Sequence, residues 1–143
     1  MPRANDVAAF ILGEHGSMTA MKLQKLVYYS QAWSLVWDER ALFDDPIEAW
    51  ANGPVTPSLY QEHKGLFVIG RNDVNGNPDA LDNEAKETIR AVLKFYGGKS
   101  AQWLSDLTHS EDPWRNARAG TPDGVRGNEV ISHAAMAEYY SGL

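Results

Sequence analysis

Thr108-His109-Ser110-Glu111-Asp112-Pro113-Trp114 is the most enzyme-like stretch of the chain, because a histidine beside two carboxylates could accept and return protons. The same residues also make a helix-to-helix junction. In that reading Thr108 and His109 end one helix, Asp112 and Pro113 cap and begin the next, and Trp114 turns into the core. No recognisable nucleophile motif or oxyanion site accompanies the pair, which favours the junction over a hydrolase built on His109 and Glu111.

Metal and nucleotide chemistry find less support. His15, His63, His109 and His133 fall on four separate predicted elements, and no two stand at the helical spacing of a zinc site. Asp106, Asp112 and Glu129 do stand near His109 or His133 at such spacing, but Asp112 and Glu129 lie across predicted helix boundaries. Gly97-Gly98-Lys99-Ser100 ends like a phosphate loop yet follows a helix, not a strand, and lacks the earlier glycine, so it reads as a helix stop followed by a new cap. Cysteine is absent, which removes thiolate ligands, a Cys nucleophile and disulfides. No catalytic residue, metal or cofactor is expected.

Two segments carry the alternative, a binding surface. In Thr-Ala-Met-Lys-Leu-Gln-Lys-Leu-Val-Tyr-Tyr-Ser-Gln-Ala-Trp, from Thr19 to Trp33, Lys22, Lys25 and Tyr29 align at steps of three and four on a face apart from the apolar stripe. Gln24, Tyr28 and Gln31 align on the stripe's other flank. The lysines alone would make a solvated face; tyrosines beside them fit an interface, and both readings stay open. Because the stripe does not use this face, changing Lys25 and Tyr29 is expected to spare the fold. From Ile47 to Tyr60, Glu48, Trp50, Pro54 and Tyr60 are expected to form either packing, with Trp50 buried and Glu48 paired to a long-helix lysine, or a rigid aromatic ledge for a partner.

The elements that position these residues follow from caps and periodicity. Asn5 or Asp6 can cap a first helix through Val7, Phe10 and Ile11, with Gly13 and Gly16 bracketing its end. Thr19 caps a long helix to about Asp38, whose buried stripe is Leu23, Leu26, Val27, Ser30, Trp33 and Trp37. Leu42-Phe43 and Ile47 to Trp50 around Asp44-Asp45-Pro46 suggest a short hairpin, stopped by Asn52-Gly53-Pro54. Thr56 and Pro57 start a brief helix that Gly65 closes. Residues 70–79 read as an exposed loop. Asp82, Ser100, Asp112 and Ser132 cap the later helices, and residues 120–128 are loop.

At 143 residues the chain fits one domain, with 43% hydrophobic residues to build a core. The fold expected is mainly α, a single compact domain of about six helices with a small β-hairpin. A net charge of −6 with dispersed cations disfavours nucleic acid as a partner. No apolar run long enough to cross a bilayer and no signal core are found, so a cytoplasmic protein without a membrane partner is expected.

The paired segments Thr19–Trp33 and Ile47–Tyr60, with the Thr-His-x-Glu-x-Pro-Trp stretch from Thr108 to Trp114, resemble the Panacea domain, the SocA-like family of phage- and plasmid-associated antitoxins. The resemblance runs from about Thr19 to Trp114. It implies a non-enzymatic protein that binds and neutralises a cognate toxin encoded by an adjacent gene, and for the SocA branch delivery of the toxin to a AAA+ protease. The alternative of an orphan, phage-associated nucleic-acid regulator turns on whether the scattered Lys and Arg collect into one basic stripe.

Overall fold

The computed structural model describes residues 1–143 and packs four helices around one central helix. In order, the elements are α1 (Ala4–His15), β1 (Met18–Thr19), α2 (Ala20–Trp37), β2 (Glu48–Trp50), β3 (Gly53–Val55), α3 (Pro57–His63), β4 (Val68–Ile69), α4 (Asn83–Tyr96), α5 (Ala101–Ser110), α6 (Asp112–Ala117) and α7 (His133–Ser141). The domain is mainly α, as the sequence implies, with seven helices and two small antiparallel sheets, β1–β4 and β2–β3.

Caps expected from sequence set most helix starts. The side chains of Thr19, Asp82, Ser100 and Ser132 accept the backbone N–H groups of Lys22, Ala85, Trp103 and Ala135, satisfying donors that have no partner inside the helix. The first helix is capped two or three residues earlier than expected. Arg3 takes the cap position, and the Asp6 carboxylate reaches back to the Arg3 N–H at 2.8 Å. Gly13 lies inside this helix, which ends at Gly16.

The hairpin is displaced from its expected place. It joins Glu48–Trp50 to Gly53–Val55, pairing Trp50 with Gly53, so Asn52-Gly53-Pro54 is the turn and second strand, not a stop. Leu42 and Phe43 form no strand and are buried. Segment 129–131 extends the hairpin through the Ala49 N–H to the Glu129 carbonyl and the Ile131 N–H to the Ile47 carbonyl. Residues 70–79 hold a 3-10 turn, Arg71–Asp73, and a buried Val74, and are tied to α1 where Asp6 accepts the Asn77 N–H at 2.8 Å.

The helix α2 packs against α1, α4, α5, α7 and both small sheets. That encirclement overturns the sequence reading of its polar flanks. Gln24, Lys25, Tyr28, Tyr29 and Gln31 are all buried, while Trp37, placed in the core stripe by periodicity, is 51% exposed and stacks on Trp33. Helical periodicity separates two faces only when one of them meets water.

Candidate functional site

Strand alternation aims the hairpin's chemistry outward. Ala49 is buried, so its neighbours Glu48 and Trp50 share the opposite face and stand half-buried. That face is one wall of a cleft of about 930 Å³. The start of α2 and α3 supply further walls, with the Gly65–Phe67 corner and segment 124–128 at the mouth.

Lys25 lies at the floor, 1% exposed. Its ammonium donates to the Pro54 carbonyl at 3.2 Å and forms no ion pair. Burial alone holds its pKa down to about 7, because the charged form loses its hydration and gains no counter-charge. Gly53 makes the approach possible. Its φ of +123° suits glycine, and a Cβ there would stand 2.5 Å from Lys25 Cε.

Gln24 fixes the neighbouring polar group. The Thr56 N–H can only donate, so Gln24 Oε1 accepts it at 2.8 Å, and the amide nitrogen therefore faces the Thr56 carbonyl and His63 Nε2. His63 Nε2 must accept that N–H at 2.9 Å, which requires the neutral ring. Its pKa is lowered accordingly, first by burial and then by the charge of Lys25. Trp50, Tyr60 and His63 follow one another edge-to-face at 5.1 and 5.4 Å and form an aromatic wall.

The structure brings Lys25, Glu48, Trp50 and Tyr60 together, and Pro54 contributes its carbonyl behind Lys25. Lys22 and Tyr29 lie elsewhere. Lys22 Nζ donates to the Gly97 carbonyl at 2.6 Å, closing the end of α4. Glu48 pairs with no lysine; it accepts the Trp50 indole N–H at 2.9 Å, and Trp50 is only half-buried.

Tyr29 belongs to a buried network on the far side of α2. Its hydroxyl donates to Glu111 Oε1 at 2.6 Å, Tyr140 donates to the same oxygen at 2.7 Å, and Tyr28 must then donate to Tyr140 at 3.0 Å. Glu111 is 5% exposed; burial raises its pKa, opposed by the two phenol hydrogen bonds. His109 sets its ring nitrogens against the Ser105 and Ala51 carbonyls. Neither His109 nor Glu111 lines the cleft. No group of three or more His, Asp or Glu side chains gathers in a geometry that could hold a metal ion.

Sequence reasoning missed Arg118. This buried guanidinium donates to the Ala49 carbonyl at 3.0 Å from Nη1 and to the Pro122 and Val125 carbonyls from Nη2, fastening the glycine-rich segment to the hairpin. A lone arginine after a helix gives no signal of such a role. The exposed corner Leu66-Phe67-Val68 was also missed, with Phe67 80% exposed beside the cleft mouth.

Compared with known proteins, residues 23–115 match the family model described as "Antitoxin SocA-like, Panacea domain". The chain is 31% identical over 106 residues to "Antitoxin SocA" of Caulobacter vibrioides (strain NA1000 / CB15N), a match covering 66% of this chain and 56% of that protein. The chain thus spans little more than half the length of this curated relative. No solved structure matches.

Proposed function

The chain belongs to the SocA-like Panacea antitoxin family, and from that membership we propose that it neutralises a cognate toxin, encoded by an adjacent gene, by binding it directly through the cleft and its apolar rim. One observation carries the choice of surface. Leu66 and Phe67 are exposed at the edge of the cleft, followed by exposed Val68, and a run of exposed apolar side chains beside a concavity is a common mark of a partner site. The aromatic wall behind them supplies the rigid anchors that dominate binding energy at interfaces. Direct binding is the step common to simple blocking and to delivery to a AAA+ protease.

A non-enzymatic role accords with the buried, phenol-bound Glu111 and with a His109 ring that faces backbone carbonyls. The test is co-expression with each neighbouring gene. A product toxic alone, rescued by this protein and copurifying with it in fixed stoichiometry, is the expected result. Harmless neighbours that do not bind would remove the antitoxin reading. Phe67→Asp should weaken the complex by about 2 kcal/mol without changing the melting temperature, whereas unchanged affinity would move the interface away from the cleft.

A further inference from the structure

The cleft inverts the charge of the molecule. The chain carries −6 overall, yet this cleft holds two cations without carboxylate partners: Lys25 on the floor and exposed Arg126 at the mouth. Its lone acid, Glu48, is engaged by the Trp50 indole. An ammonium offers three donors, and Lys25 places one acceptor, the Pro54 carbonyl, within reach. A buried cation in this condition is costly unless it gives up its proton or something of opposite charge joins it.

The geometry points to the cleft as a docking site for an acidic, partly apolar segment of a partner protein, whose carboxylate seats against Lys25 and Arg126 while its apolar side chains lie over Trp50 and Phe67. A carboxylate fits better than a phosphate dianion, because Glu48 in the same cleft leaves Lys25 and Arg126 with one net positive charge to balance and not two. A protein segment fits better than a small ligand, because the cleft runs out onto an apolar corner that a small ion would leave uncovered. In naming the partner as the toxin, the inference rests on the antitoxin reading; the acidic site itself does not.

Docking also takes up a proton. Burial leaves Lys25 near half-protonation at neutral pH, and an arriving carboxylate favours the charged form. The titratable and charged groups facing it are His63 and Tyr60 from α3, Glu48 from β2 and Arg126 from the 124–128 segment. Binding should therefore weaken as pH rises from 6.5 to 8.5.

The first test needs no partner. The protein is titrated by NMR with the end-blocked tripeptide Leu-Glu-Phe and with its Leu-Gln-Phe counterpart. The Glu peptide should bind roughly fivefold or more tightly at pH 6.5, shifting Lys25, Trp50 and Phe67 resonances, and this advantage should shrink at pH 8.5 and vanish in Lys25→Met. Equal binding of the two peptides, or no binding of either, overturns the proposal. If Lys25→Met does not fold, Arg126→Gln at the exposed mouth serves in its place and should cut the advantage about twofold. The second test uses the copurified toxin. Equal affinity for wild type and folded Lys25→Met overturns this proposal and leaves the antitoxin reading standing. Absence of any toxin, with the Glu peptide still preferred, removes that reading and supports the acidic site.

Discussion

Lys25 and Tyr29 stand one helical turn apart and are both buried, so each is a test of stability as well as of recognition. The depressed pKa of Lys25 means that the unfolded chain binds more protons than the folded one between about pH 7 and the ordinary lysine value of 10.5. Stability from this residue is therefore lowest at and below pH 7 and rises with pH through that window. Lys25→Met should melt above wild type at pH 6.5, and the gap should narrow by about 2 to 3 kcal/mol between pH 7 and 9, below the range where phenols ionise. Parallel melting curves for the two proteins check this; a constant gap would show that the amine is hydrated. Tyr29→Phe deletes a hydrogen bond to a buried carboxylate and should lower stability by about 2 kcal/mol in chemical denaturation, contrary to the sequence expectation that this position is dispensable to the fold.

The elements were legible where a local cause sets them. Thr19, Asp82, Ser100 and Ser132 start their helices because capping is settled within three residues. The hairpin was misplaced because Asp44-Asp45-Pro46 and Asn52-Gly53 are both good turn sequences, and the choice between them is made at a distance, by segment 129–131 and by Lys25 lying under Gly53. The site was legible by half. Glu48, Trp50 and Tyr60 stand out as a candidate aromatic ledge because they crowd into one short, turn-rich segment, whereas the burial of Tyr29 depends on Glu111 and Tyr140, far along the chain. Arg118 left no trace at all. Its replacement by Ala should free residues 120–128 from the hairpin, raising their amide exchange at least tenfold and weakening partner binding while α2 stays protected. Unchanged exchange there would show that the segment is held by something else.

At the scale of the whole molecule, several cations are already committed to partners within the protein. Arg40 pairs with Asp82 and Glu84, Arg90 with Glu14 and Glu87, and Arg3 with Asp6, while Lys22, Lys25 and Arg118 point at backbone carbonyls. With a net charge of −6, duplex DNA should give no mobility shift at low salt; a salt-sensitive shift would restore the regulator alternative. The same economy of contacts separates two kinds of position around the cleft. Gln24 and Lys25 belong at once to the floor and to the core, so most changes there disturb folding, whereas the exposed side chains of Leu66, Phe67 and Arg126 stand at the edge of the cleft and bear little of the structure. Variation is therefore cheap where contact is first made and dear underneath. Substitution at that lip should alter what the cleft meets and leave the folding of the core alone.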